Sequence, residues 1–100
     1  MKKFASILMG ASFDPEKHKA EFDRGEVGRY TCFYTVRNPQ EVREKVLQLK
    51  TDGFGAIELC GAFSREFALE LIALTDNEVA IGYSVHEPEQ DELFERFFGK

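Results

Sequence analysis

Short runs of apolar, β-branched and aromatic residues recur along the chain at nearly regular intervals. The runs are KFASILM, RYTCFYTV, GAIELC and EVAIGYSVH, which begin at Lys3, Arg29, Gly55 and Glu78. Each run is bounded by glycine, proline, asparagine or aspartate, the residue types that form turns. This pattern predicts four β-strands.

Helix-start signals follow the strands in the same order. The prolines stand in the segments Asp14-Pro15, Asn38-Pro39 and Glu87-Pro88. Proline suits the first helical position because its missing N–H would have no partner there. Together with a cap at Ser64, these signals predict helices over 15–23, 39–52, 65–75 and 88–98, the first of them short or partial. Asn38 and Glu41 resemble a capping box.

Alternating strands and helices indicate parallel pairing through right-handed crossovers. The sequence therefore predicts a single α/β domain over 1–100 with four βα units. Its sheet is expected to be four-stranded and mostly parallel, in order 2-1-3-4, with helices on one or both faces. A half-barrel (βα)₄ unit is the alternative architecture.

Composition agrees with an ordinary globular domain, since 43% of the 100 residues are hydrophobic and 31% are charged. No apolar run is long enough for a membrane span. The apolar stretch after Lys2-Lys3 is interpreted as a buried strand rather than a signal peptide. Cys32 and Cys60 lie inside strand-like runs, which predicts two buried free thiols and a cytoplasmic, reducing location.

Charge is distributed unevenly between the two halves. Residues 1–50 carry a net charge of +3, whereas residues 51–100 carry −8. Binding to nucleic acid is not expected, because it requires a basic surface. The acids between 87 and 95 are interpreted as one solvated face of the last helix.

Ligands of open parallel sheets bind beyond the carboxyl ends of the strands. That rule selects the ligand-binding candidates Gly10, Ser12, Arg37, Gly61 and Ser84. The Gly61–Ser64 turn joins a strand to a helix, where backbone N–H groups can hold an anion, although a plain tight turn is the preferred interpretation. The turn is neither a P-loop nor a dinucleotide fingerprint, and no cofactor is expected.

Glu58 interrupts the apolar run of the third predicted strand. Alternation places Glu58 and Cys60 on one face and Ile57 and Leu59 on the other. A buried carboxylate is costly unless it is paired. If the third and fourth predicted strands are parallel neighbours, Glu58 and Cys60 could converge with His86.

Three kinds of chemistry fit those three residues. Glu58 and His86 could act as proton acceptor and donor, or His86 could activate a Cys60 nucleophile. A metal held by all three, with His18 or Asp14, is another reading, although no metal site is assigned. The structural alternative is a bonded glutamate, a small core cysteine and a histidine that ends a strand.

The segments GAIELCGAF and VHEPEQD, with MKKFASILMG and YTVRN, resemble a family of small bacterial and archaeal proteins of about 100 residues. That family is catalogued only as a domain of unknown function. The resemblance spans nearly the whole chain and implies no reaction.

The resulting expectation is a small-molecule-binding protein or minor enzyme, with its site near Glu58, Cys60 and His86. The alternatives are a small metal-binding protein or a non-catalytic oligomeric module built on the helix that carries Phe94, Phe97 and Phe98. A homo-oligomer, such as a dimer, is expected in either case, with a small-molecule ligand as the partner and neither nucleic acid nor membrane.

Overall fold

The computed structural model describes residues 1–61 and 63–99, which form a mixed α/β fold with a mostly parallel sheet. The strands are β1 (Lys2–Met9), β2 (Ala20–Arg24), β3 (Arg29–Val36), β4 (Ala56–Cys60) and β5 (Ala80–Tyr83). The helices are α1 (Pro39–Thr51), α2 (Arg65–Leu74) and α3 (Asp91–Phe98), and two short 3₁₀ turns cover Gly25–Val27 and Pro88–Gln90.

The five strands lie in the order β2-β3-β1-β4-β5. β1 pairs in parallel with both β3 and β4, and β4 pairs in parallel with β5. β2 is antiparallel to β3. The four predicted strands occupy β3-β1-β4-β5 within this order. The sheet differs from the prediction in strand number, and therefore in its complete order, because of β2.

The predicted helix over 15–23 is wrong. The Oδ1 atom of Asp14 accepts a bond from the Glu16 N–H and its carbonyl accepts one from the His18 N–H, which closes a turn. The chain then becomes extended and pairs with β3. Gly28, with φ of 69°, completes the reversal between the two strands in a conformation that favours glycine. Since Phe22 was the only large apolar residue of the segment, a helix there had little to bury.

Capping explains where α1 and α2 begin, as predicted. The Asn38 Oδ1 accepts a hydrogen bond from the Glu41 N–H at 2.9 Å, and the Ser64 Oγ accepts one from the Phe67 N–H at 3.1 Å. The Glu41 carboxylate reaches back to the N–H of Arg37 rather than to that of Asn38, so the capping box is shifted by one residue. Pro88 begins a 3₁₀ turn, and α3 itself begins three residues later than predicted.

Helices α1 and α2 pack on one face of the sheet, which we call the covered face. Strand residues of this face and helix residues form the core, which includes Ala5, Ile7, Cys32, Val36, Val42, Val46, Leu49, Ile57, Leu59 and Leu71. Arg43 of α1 and Glu70 of α2 are joined by an ion pair, and the Arg43 guanidinium lies 5.1 Å from the centre of the Phe67 ring. The half-barrel alternative is not observed, since a half-barrel would place its strands in sequence order, whereas β1 lies between β3 and β4.

The opposite face of the sheet is only partly covered, and we call it the open face. By strand register it consists of Lys2, Phe4, Ser6, Leu8, Ala20, Phe22, Arg24, Arg29, Thr31, Phe33, Thr35, Ala56, Glu58, Cys60, Ala80 and Gly82. At its edge the Thr35 hydroxyl donates to the carbonyl of His18, so the loop before β2 shields Thr35. No helix within the described part of the chain has the length and apolar character needed to cross a bilayer.

Candidate functional site

The spatial premise of the candidate site is confirmed: β4 and β5 are parallel neighbours. Their register pairs Glu58 with Gly82 and Leu59 with Tyr83. The N–H of Ser84 donates to the carbonyl of Leu59 at 3.0 Å, which extends the pairing just beyond β5. The carboxyl ends of the two strands therefore meet at the same edge of the sheet.

Glu58 lies on the open face and is exposed, so the expectation of a buried carboxylate is wrong for the single chain. Its carboxylate rests on the backbone of Gly82, because a Cβ at that position would stand 2.8 Å from the Glu58 Oε1. Within residues 1–61 and 63–99 no lysine, arginine or histidine forms an ion pair with Glu58. The glycine thus leaves room for the carboxylate, which remains exposed and open to a ligand.

The two cysteines lie on opposite faces. Cys32 is buried on the covered face, whereas Cys60 ends β4 on the open face and is exposed, so the expectation of a buried Cys60 is wrong. Both thiols are free, as predicted. Cys60 shares the Glu58 side of β4 because strand residues two apart point the same way.

His86 lies at the base of α3. Its Nε2 is 2.6 Å from the Asp91 Oδ1, and its ring stacks on Phe94 with 4.2 Å between the ring centres. The hydrogen bonds of His86 within the described chain go to α3 and not to Glu58 or Cys60. Convergence of all three side chains stays a prediction.

Among the predicted ligand-binding residues, Arg37 already has a partner. Its guanidinium donates to both oxygens of Glu41, which raises the pKa of Arg37 and lowers that of Glu41. The Arg37 guanidinium therefore stabilises the start of α1, and its contacts within the described residues do not direct it toward a ligand site.

The remaining predicted ligand-binding residues are in loops. Gly10 forms a tight turn in which its carbonyl accepts from the Phe13 N–H, and Ser12 is exposed in the same loop. Gly61 has φ of 102°, a conformation that disfavours side chains, so a turn accounts for it. Ala62 of the predicted anion-binding turn lies outside the described residues. Ser84 is exposed just beyond β5, on the side of the sheet where Cys60 ends.

The residues that sequence reasoning missed are those of the neighbouring strand. Ser6 of β1 pairs with Glu58 on one side and with Phe33 on the other, so all three share the open face. Alternation within KFASILM separates Ser6 from Ala5 and Ile7. The alternation does not show which strands lie beside Ser6, because strand neighbours depend on the order of the sheet.

A metal site receives no geometric support. The described residues contain no group of three or more histidine, cysteine or acidic side chains able to hold a metal ion. His18, suggested as a ligand, instead accepts a hydrogen bond at Nδ1 from the Asp14 N–H at 2.8 Å. His18 and Asp14 therefore close the turn that precedes β2.

Acid–base groups on the covered face are unsuited to catalysis near neutral pH. The neighbouring Glu21 carboxylate raises the pKa of Tyr30, and burial raises that of Tyr34. Both phenols consequently stay protonated near neutral pH.

Comparison with known proteins yields one match. The model of a family described as a family of unknown function (DUF6506) matches residues 2–99, which is nearly the whole chain. No curated protein and no solved structure matches the chain.

Proposed function

Because the chain belongs to a family of unknown function (DUF6506), we propose from its geometry that it binds a small molecule on the open face, beside Glu58 and Cys60. The observation that carries the proposal is the Glu58 carboxylate, which is exposed in mid-strand and lies against Gly82. A carboxylate that forms no ion pair with the described residues, set on a rigid sheet, is suited to bind rather than to stabilise the fold.

The surroundings of Glu58 favour a small ligand over a large one. Small side chains at Ala56, Ala80 and Gly82 leave space on the strands around the carboxylate. Larger apolar side chains, such as Phe33, stand two strands away on the other side of Ser6. Such a mixture of apolar walls and a few polar groups is typical of small-molecule sites.

The chemistry of the carboxylate restricts the class of ligand. An ionised carboxylate only accepts hydrogen bonds, so the ligand should present donors. We therefore propose an amine, a guanidine or a hydroxylated compound rather than a phosphate or carboxylate. If the protein is an enzyme, Glu58 is the group placed to accept a proton from the bound compound.

The test is a thermal-shift screen with three sets of small molecules: amines and guanidines, uncharged polyols, and carboxylates with phosphates. Ligands that bind only the folded state raise the melting temperature. We expect stabilisation from the first or second set, loss of it in Glu58→Gln, and no comparable shift from the anions.

The matched control is Glu26→Gln, which removes an equivalent charge from an exposed turn away from the open face. It should keep the ligand-induced shift of the unaltered protein. Stabilisation that survives in Glu58→Gln, or that disappears equally in both variants, would rule out Glu58 as the ligand-binding group.

A further inference from the structure

Helix α3 carries an apolar stripe that its own chain leaves uncovered. Leu93, Phe94, Phe97 and Phe98 lie on one side of the helix, and Leu93 and Phe97 are 54% and 79% exposed. With Gln90 they line a shallow groove of about 320 Å³. Exposed apolar patches of this kind usually mark interaction surfaces.

The open face presents a second uncovered apolar surface in the same molecule. Phe22 of β2 and Phe33 of β3 are 53% and 41% exposed, and their rings meet edge to face at 6.2 Å. Beside them, Arg24 and Arg29 are paired across the same two strands and are exposed. This half of the open face is therefore both apolar and basic.

The chain does not use α3 to cover its own open face. The main contacts of α3 are with the adjoining 3₁₀ turn, not with the sheet. The Asp91 and Phe94 contacts of His86 hold the base of the helix against the segment that leads to it. The molecule is correspondingly elongated, with principal extents of 41 × 28 × 25 Å.

We propose that the occupant of the open face is the α3 helix of a second copy of this chain, and that two copies exchange these helices reciprocally. In a dimer with one twofold axis, the helix of each copy covers the sheet face of the other. Both uncovered surfaces are therefore buried by a single arrangement. A different partner protein would have to explain each surface separately.

Charge complementarity supports the same occupant. Residues 51–100 carry −8 and end in the acidic α3 segment, whereas residues 1–50 carry +3. Arg24, Arg29 and Lys2 line a groove of about 630 Å³ at one end of the open face. Opposite potentials on two surfaces steer them together and fix their orientation.

Dimensions indicate which part of the open face is covered. At 1.5 Å per residue an eight-residue helix is about 12 Å long. Five strands spaced by roughly 4.8 Å form a sheet about 19 Å wide. One helix thus covers the β2–β3 half, where Phe22 and Phe33 lie, and leaves the Glu58 half accessible. The dimer does not depend on the proposed ligand, and Glu58→Gln should leave it intact.

The experiment measures molar mass by light scattering during gel filtration of the full chain at micromolar concentration. We expect a dimer, and a shift to monomer in Phe97→Asp with the helical circular dichroism retained. Phe97 is almost fully exposed in the single chain, so its replacement should not disturb the core. A monomeric unaltered protein, or a Phe97→Asp protein that remains dimeric, would overturn the proposal.

A charge exchange tests which surfaces meet. Arg24→Glu/Arg29→Glu makes the sheet face acidic, and Glu87→Lys/Glu89→Lys makes the segment that leads into the apolar stripe of α3 basic. Each double variant alone should dimerise more weakly, by about tenfold or more at low salt, because like charges then face each other.

Mixing the two double variants should restore a heterodimer, since both of its helix–sheet contacts again join opposite charges. Native mass spectrometry distinguishes the heterodimer from either homodimer by mass. A mixture that forms no heterodimer in excess of the statistical proportion would overturn the helix-on-sheet arrangement. Unchanged dimerisation of Arg24→Glu/Arg29→Glu on its own would also overturn it, because a dimer in which α3 pairs with α3 does not use the sheet arginines.

Discussion

The two faces of the sheet are made by the same strands, but they differ in how deeply their side chains are buried. On the covered face Ile7, Cys32 and Leu59 are completely buried under α1 and α2. On the open face, their sequence neighbours Phe33, Glu58 and Cys60 are exposed. Alternation along each strand separates the two roles residue by residue. The covered face accounts for the stability of the chain, which leaves the open face available for binding.

The largest contrast is expected in the reactivity of the two thiols. Cys60 should react with an aromatic disulfide reagent at once, whereas Cys32 should react only when the core opens, which is slower by roughly a thousandfold or more. The native protein should therefore show one fast thiol and the denatured protein two. Cys60→Ser should abolish the fast reaction, and equal rates for the two thiols would contradict the assignment of faces.

Shortening a side chain of the covered face should produce the largest loss of stability. Leu59→Ala removes a fully buried side chain and should lower the free energy of unfolding by about 2–5 kcal/mol. Leu69→Ala is the matched control, because it deletes the same atoms from a residue that is 46% exposed. Urea denaturation measures both. Similar losses in the two variants would show that burial in the core is not what distinguishes them.

A smaller effect is expected where Gly82 supports Glu58. In Gly82→Ala the new methyl group displaces only the end of an exposed, flexible side chain. The free energy of unfolding should therefore change by less than about 1 kcal/mol. Ligand binding at Glu58 should weaken, because the carboxylate must move. Gly55→Ala, where a methyl group meets nothing within 4 Å, is the control. A large destabilisation by Gly82→Ala would indicate a more rigid open face.

The smallest effect belongs to the ion pair that joins the two covering helices. The Arg43 guanidinium lowers the pKa of Glu70 from its ordinary value of 4.5. A lowered pKa in the folded state stabilises the protein above that ordinary value, and the contribution disappears as the pH falls through the folded pKa. Glu70→Gln should thus be slightly less stable than the unaltered protein at neutral pH.

The check on this ion pair is urea denaturation of both proteins at neutral and at strongly acidic pH. The small difference between them should vanish in acid, where Glu70 is protonated in both states. Glu44→Gln, on the exposed surface of α1, should show less pH-dependent difference. A Glu70→Gln difference that persists in acid would mean that the pair contributes through packing rather than charge.

The starts of α1 and α2 could be predicted from the sequence, because each depends on a capping residue within the same short segment. Asn38 and Ser64 each accept, through a side-chain oxygen, a hydrogen bond from a backbone N–H at the start of a helix, and both were identified from the sequence. The region of β2 was mispredicted because Asp14-Pro15 is also a good turn. Whether the residues after a turn become helix or strand depends on whether another strand is there to pair with them, which is a tertiary contact.

The candidate site was predictable in part for the same reason. Alternation in AIELC placed Glu58 and Cys60 together on one side of their strand, and the structure agrees. Ser6 and Phe33 could not be assigned to the same surface, since they come from strands far away in sequence. The exposure of Glu58 and Cys60 could not be assigned either. The apolar run around them suggested burial, but none of the helices in the described part of the chain covers that side of the sheet.

By itself the sequence determined where strands and helices alternate, where α1 and α2 are capped, and which residues of each strand share a side. These properties depend on contacts within a few residues of the chain. The tertiary structure decided that β2 is a strand, which neighbours accompany Glu58, and which face of the sheet is covered. Those outcomes depend on the relative free energies of burying distant segments against one another, and residues close in sequence do not carry that information.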